Sequence, residues 1–220
     1  MARSFLKSLP SLFSMSDEQA MWRVKMQSDS QAFTQLVNRW EKPIRALCTR
    51  MTGDAYRGED LTQETFVRVF ARRKDYQPSA RFSTFLWRVA LNICYDELRK
   101  INRRRETILD SAEGGEGEDG RFTEPGPGPD LVLVEQERAE TVRQALLQLS
   151  EPCRAVVVLR HYEGLKFREI GEALEIPEGT VKSRMAEALA RLNRILSRSL
   201  NERETPCKPQ TKPAREILAI

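Results

Sequence analysis

The stretch Gly164–Leu196, GLKFREIGEALEIPEGTVKSRMAEALARLNRIL, decides how this chain folds. Ile170, Ala173, Leu174, Val181, Met185, Leu189, Leu192 and Ile195 recur at three- and four-residue spacing, the apolar stripe of a helical segment. The stripe breaks once, at Glu175-Ile176-Pro177-Glu178-Gly179. Proline suits the first turn of a helix and not its interior, so a second helix is predicted to start near Pro177. A short helix, a tight turn and a longer basic helix outline a helix-turn-helix. The outward face of its second helix offers Glu178, Thr180, Lys182, Ser183 and Arg184 near the N-terminus, where such helices meet base edges and phosphates. A plain helical hairpin with a solvated basic face stays open on this stretch alone.

Outward from there, 220 residues allow one domain or two small ones, and 40% hydrophobic content is enough for packed cores. No uninterrupted apolar run approaches membrane-spanning length, so no membrane insertion is expected. The first sixteen residues, MARSFLKSLPSLFSMS, are cut by Pro10 and lack a convincing cleavage site. They read as a flexible arm, not a signal peptide, and the expected compartment is cytoplasmic. Net charge is only +4, but its distribution is uneven. Arg81 to Arg105 holds seven basic and two acidic residues, whereas Asp110 to Glu124 holds six acidic and one basic. The basic block fits phosphate contact and the acidic block a solvated linker.

Cysteines at 48, 94, 153 and 207 form no CxxC, and His161 is the only histidine, so zinc-ligand spacing is absent and no metal or cofactor is expected. Cys48, Cys94 and Cys153 sit at or beside apolar helical positions and read as small buried hydrophobes. Gly114-Gly115-Glu116-Gly117 lacks the lysine and the flanking strand of a phosphate loop. Asp60 and Glu64 lie on a very polar segment with no nearby histidine or cysteine, which favours solvated charge over catalysis. No enzymatic activity is expected.

Along the chain, Asp17 to Met26 can form a short helix, and Ser28-Asp29-Ser30 precede a long amphipathic pattern from Phe33 to Met51. Pro43 falls inside that pattern and predicts a kink or an interruption. Gly58 to Arg73 follows with a polar edge of Glu59, Asp60, Gln63 and Glu64. After the loop Lys74 to Ala80 comes an aromatic and basic helix from Arg81 to Ile101, with Phe82 and Leu86 inward and Trp87, Arg88, Asn92, Asp96, Arg99 and Lys100 able to reach outward. Rings among arginines suit single-stranded nucleic acid, since bases stack on rings and arginines hold phosphates. Burial of Phe82, Phe85 and Trp87 in a core explains the same rings equally well. Residues 110 to 130, rich in Gly, Pro and Glu, cannot bury enough apolar surface to offset the entropy of ordering. The predicted fold is all-α: a flexible arm (1–16), a helical domain (17–108), a flexible acidic Gly/Pro-rich linker (109–130), a second helical domain containing the helix-turn-helix (131–200) and a tail (201–220).

These motifs, in this order, resemble the extracytoplasmic-function group of the sigma-70 family, the small bacterial RNA polymerase sigma factors. Gly58-Glu59-Asp60-Leu61-Thr62-Gln63-Glu64-Thr65-Phe66 is similar to the family's second-region helix, which docks on core polymerase. The resemblance implies core contacts from Asp60, Gln63 and Glu64. Tyr76 through Phe82 resembles the loop that captures a flipped base of the non-template strand, and Phe82 to Asn92 the helix that follows. It implies minus-ten contacts from Tyr76, Ser79, Arg81, Phe82, Thr84, Trp87, Arg88, Asn92, Arg99 and Arg103. Phe85 stands where the family usually has tryptophan, keeping the ring and losing the indole donor. Glu163 to Ile170 and Gly179 to Arg184 resemble the minus-thirty-five reader. It implies contacts from Arg168, Glu178, Thr180, Lys182, Ser183 and Arg184. Met185-Ala186-Glu187-Ala188 stands where many members continue with basic residues, which implies fewer phosphate contacts there.

The implied mechanism is promoter recognition and stabilisation of the open complex, not bond chemistry. The implied partners are core RNA polymerase, promoter DNA as duplex and as non-template single strand, and an anti-sigma protein; the terms cytoplasmic and anti-sigma accompany the resemblance. A helix-turn-helix regulator working without core polymerase, or an adaptor acting only through protein contacts, are the competing readings. The first leaves the polar helix at Glu59 and the aromatic and basic segment at Arg81 without a task.

Overall fold

In a computed structural model the protein is described over residues 15–78, 81–111 and 131–204. Every regular element there is a helix: α1 (Asp17–Gln27), α2 (Ser30–Thr52), α3 (Ala55–Ala71), α4 (Phe82–Ser111), α5 (Leu131–Leu147), α6 (Glu151–His161), α7 (Phe167–Leu174) and α8 (Glu178–Glu204). The predicted arm up to Ser14, most of the predicted linker and the tail beyond Glu204 lie outside the described residues.

The first three helices start on side-chain caps that supply acceptors for otherwise orphaned backbone donors. Ser16 and Gln19 form a reciprocal capping box at α1. Asp29 accepts from the Gln31 and Ala32 amides at α2, and Asp54 from Tyr56 and Arg57 at α3. The four helices then bury Met21, Leu36, Ile44, Leu47, Leu61, Val69 and Leu86 in one core. α2 and α3 cross closely at Gly58, where a Cβ would sit 2.2 Å from the Thr49 hydroxyl, so a larger residue would push them apart. Of the kink or interruption predicted at Pro43, the interruption does not occur: α2 runs through it as one helix. An interior proline costs about 3 kcal/mol, and the buried run of Ile44, Leu47, Cys48 and Met51 just beyond it outweighs that.

α5 to α8 form the second group. Pro152 sits in the first turn of α6, and Gly164, at φ +70°, turns the chain toward α7. Glu175 ends α7 in the left-handed region, and α8 begins at Glu178, so the helix-turn-helix has the predicted outline. Gly171 makes the tight turn possible: a Cβ there would lie 2.8 Å from the Ile176 carbonyl oxygen, a backbone atom with no room to give. The buried stripe of α8 is Val181, Met185 and Ala188, with Leu192 packed against it. Leu189, expected inside, is 48% exposed because Ala188 takes the inward position.

The two groups pack on each other. Arg154 of α6, only 6% exposed, donates to the carbonyls of Leu146, Leu147 and Leu149 at the end of α5 and of Met51 at the end of α2. It satisfies the orphan carbonyls of two helix ends with one planar fork of donors. Burial lowers the pKa of this guanidinium from its ordinary value, and Glu151 partly counters that. Arg143 of α5 adds a 2.7 Å bond to the Gly53 carbonyl that follows α2. Arg50 of α2 lies 4.0 Å over the Tyr162 ring and 3.5 Å from Glu163.

Candidate nucleic-acid and polymerase interfaces

α3 buries Leu61, Thr65, Phe66 and Val69 and turns Asp60 and Gln63 to solvent. Glu64 is half-buried and held by Arg68 at 2.5 Å, while Arg68 also reaches Asp96 at 3.5 Å. Tyr56 and Val67, 73% and 67% exposed, extend the same surface with apolar area. Sequence reasoning missed both, although the spacing 56, 60, 63, 67 is that of one helix face.

The minus-ten candidates divide sharply. Tyr76, Phe82 and Trp87 are buried, their rings packed edge-on with Trp40: Tyr76 to Phe82 at 6.2 Å, Trp40 to Phe82 at 6.3 Å and Trp40 to Trp87 at 5.6 Å between centroids. Of the two explanations for these rings, packing is the one this arrangement uses. Burial, helped by Glu18 and Asp17, pushes the Tyr76 phenol up to about 12. Lys25 donates to the Tyr76 carbonyl at 2.6 Å and so ties the preceding loop to α1. Thr84 is buried as well; Ser79 lies outside the described residues. Arg81, Asn92, Arg99 and Arg103 are exposed along α4 and at its start, and Arg88 is half-buried. The basic side chains, not the rings, are what α4 and its start offer at the surface.

On the helix-turn-helix, Arg168, Glu178, Lys182 and Ser183 are exposed, with Thr180 and Arg184 half-buried beside them. Lys182 pairs with Glu178 at 2.7 Å and the Ser183 hydroxyl donates to the Thr180 carbonyl, so the first turn of α8 presents an ordered polar edge. Five of the six minus-thirty-five candidates therefore share the first two turns of α8, while Arg168 lies at the start of α7 and pairs with Glu172 at 3.6 Å.

A further set of contacts joins α7 to α4 and the residue before it. Arg81 pairs with Glu169; Arg88 reaches Glu175 at 2.8 Å and the Glu172 carbonyl at 2.9 Å. Glu169 also accepts from the Lys166 amide, and that bond first, then Arg81 and Lys166, holds its carboxyl below the usual range. Burial moves Glu163 the other way, partly offset by Arg50. These acids carried no signal in sequence beyond a spacing of three. Among the described residues no cluster of histidine, cysteine and acids could hold a metal ion, and no helix is long and apolar enough to cross a membrane.

Comparison with known proteins gives this geometry a family. Residues 36–105 match Sigma-70 region 2, and residues 139–192 match Sigma-70, region 4. The chain is 35% identical to the ECF RNA polymerase sigma factor SigW of Bacillus subtilis, over 71% of this chain and 84% of that protein. It is 30% identical to the RNA polymerase sigma-H factor of Pseudomonas aeruginosa, over 84% and 96%. Among solved structures, CnrH in complex with the cytosolic domain of CnrY matches with a TM-score of 0.61 at 23% identity, over 83% of this chain and 97% of that one. The sigma factor RpoE in complex with the anti-sigma factor NepR from Bartonella quintana matches with a TM-score of 0.59 at 22% identity, over 76% and 98%. These two speak to the fold.

They also correct two descriptors drawn from the sequence. In the RpoE–NepR assembly the sigma factor and the anti-sigma factor are separate proteins, and in the CnrH–CnrY assembly "cytosolic" describes a domain of CnrY. Neither anti-sigma nor cytoplasmic is thereby a property of this chain. Two matched regions in order, with relatives aligned over most of their length, place the chain in the extracytoplasmic-function group of the sigma-70 family of RNA polymerase sigma factors.

Proposed function

We propose that residues 17–108 bind core RNA polymerase and the minus-ten element, that residues 131–200 read the minus-thirty-five element, and that together they stabilise the open promoter. The observation that carries this reading is the pairing of an exposed acidic and polar face on α3, at Asp60 and Gln63, with an exposed basic edge at the start of α8. A duplex-binding regulator needs only the second. Glu64 serves α3 differently from its neighbours: its carboxylate is engaged by Arg68, so it shapes the surface that Asp60 and Gln63 present.

Arg81, Arg88, Asn92, Arg99 and Arg103 would follow the backbone of the non-template strand, and Ser79, two residues before Arg81 in sequence, would join them. Tyr76, Phe82, Thr84 and Trp87 are buried and would hold the frame beside which a base enters. Arg168, Thr180, Lys182, Ser183 and Arg184 would meet duplex DNA, with Glu178 orienting Lys182. The chain performs no bond chemistry; nucleotide addition belongs to the polymerase. A separate anti-sigma protein is the proposed regulatory partner, on the pattern of the RpoE–NepR complex.

The docking face is tested by titrating labelled core polymerase with wild-type chain and with Asp60→Ala/Gln63→Ala. We expect about a tenfold loss of affinity, two polar contacts of roughly 0.7 kcal/mol each, with unchanged thermal stability because both side chains are exposed. Undiminished affinity would remove α3 from the interface.

A further inference from the structure

We propose that Trp22 of α1 is a second base-binding platform for the opened promoter: a base of the non-template strand, other than the one captured before α4, stacks on its exposed indole. The inference rests on the assignment of the segment before α4 to the minus-ten strand. It extends that reading to a helix that precedes residues 36–105, the stretch matching Sigma-70 region 2.

Placement comes first. Glu18, Trp22 and Lys25 stand at i, i+4 and i+7 on α1 and so share one stripe of the helix. The two ends of that stripe hold the two ends of the segment in question: Lys25 donates to the Tyr76 carbonyl at 2.6 Å, and the Phe82 amide donates to Glu18 at 3.3 Å. Trp22 stands between these two anchor points. A strand bound at Tyr76 to Phe82 therefore has the indole beside it. Availability comes second. Tyr76, Phe82 and Trp87 are buried, and Trp40 packs on Trp87 at 5.6 Å, so these rings are committed to the core. Trp22 is 46% exposed and, among the described residues, takes no part in that ring cluster. It is the open aromatic face nearest in structure to the two anchor points, and every base has a π-face that can use it.

The surroundings of the indole suit a nucleotide. Met15, Glu18, Gln19, Trp22 and Arg23 line an open cleft of about 410 Å³. That lies within the range of about 300–1,000 Å³ common to small-ligand sites. Arg23 is exposed at the rim, where its guanidinium can meet the phosphate next to a stacked base. Glu18, the one acid among the lining residues, is engaged by the Phe82 amide. Ring and cation thus stand together at the place where the opened strand is expected to run.

The test uses the full chain with core polymerase and a fluorescent oligonucleotide, the non-template strand from minus-ten element to start site of a promoter that this chain transcribes. Anisotropy is read for wild type, Trp22→Ala and Trp22→Phe, on the intact strand and on strands made abasic at one position at a time. Trp22→Ala is expected to weaken binding of the intact strand about five- to tenfold, the low end of what base–aromatic stacking supplies, and Trp22→Phe to restore most of it. At one position besides the captured base, the abasic strand loses the same factor with wild type, and Trp22→Ala adds nothing to that loss. Undiminished binding by Trp22→Ala, or a loss that multiplies with the abasic loss at every position, would overturn the platform and leave the minus-ten assignment standing. An equal loss of affinity for core polymerase without DNA would put a protein surface on the cleft and overturn it likewise. Wild-type binding that no abasic position weakens would overturn the minus-ten assignment, and this inference with it.

Discussion

Arg154 is the residue on which the packing of the two helical groups turns. A buried charge between Cys153 and the run Ala155-Val156-Val157-Val158-Leu159 is anomalous in sequence, and its reason is visible only when the ends of α2 and α5 arrive beside it. Arg154→Met keeps the volume and removes the donors from four carbonyls. Leaving those acceptors dry should cost about 3 kcal/mol, read as a lower urea midpoint with an unchanged slope. A loss under about 0.5 kcal/mol would mean that water replaces the guanidinium without penalty. Tyrosines supply a second test at this scale. Burial pushes both Tyr76 and Tyr95 up to about 12, from an ordinary value of 10.0. Between those values the unfolded chain has released protons that the folded chain keeps, so the stability these phenols contribute is whole below pH 10 and is lost as pH rises toward 12. At about 1.4 kcal/mol per unit, each contributes roughly 2–3 kcal/mol. Unfolding measured from pH 9 to 12 should show a falling midpoint, and Tyr95→Phe should flatten the fall. The cysteines belong here too: Cys48 and Cys94 lie in the core with their sulfurs 3.7 Å apart, and the Cys94 bond to Cys48, then burial, raises the Cys94 thiol well above its usual range. That is packing, as the apolar spacing around them predicts.

At the scale of elements, α8 was legible because one proline and one apolar period mark its start. Lys182 stands free of the core there, so Lys182→Ala should weaken binding of a minus-thirty-five duplex by holoenzyme and lower the slope of log affinity against log salt by about one, with stability unchanged. A loss that does not vary with salt would mean that Lys182 acts on a base edge. Other elements were misread for reasons the packing explains. Pro43 predicts a kink or an interruption in α2, and the interruption is absent because local propensity is a weak term beside a buried run of four side chains. The aromatic stretch before and within α4 fits both stacking and core, and only the rings of Trp40 from α2 and Tyr76 from the loop decide where Phe82 and Trp87 go. Leu189 follows the stripe by spacing alone, and the inward direction of Ala188 shifts the true face by one residue.

For the whole molecule, the order of motifs was readable and the contact between the two groups was not. Glu169, Glu172 and Glu175 look like any solvated helix face until Arg81 and Arg88 stand opposite them. Long-range charge pairing of this kind leaves no local period, so no window of sequence contains it. In the proposed reading the chain brings together a docking face on α3, a basic strand path along α4 and a duplex reader on α8, the division of labour that promoter recognition needs. Run-off transcription with purified core polymerase, on supercoiled templates carrying candidate promoters, tests that account most directly. Discrete promoter-dependent transcripts that require this chain, and that need about tenfold more of the Asp60→Ala/Gln63→Ala variant to reach the same level, are the predicted result. Duplex binding by the chain alone, with no binding to core polymerase and no transcript on any template, would contradict it.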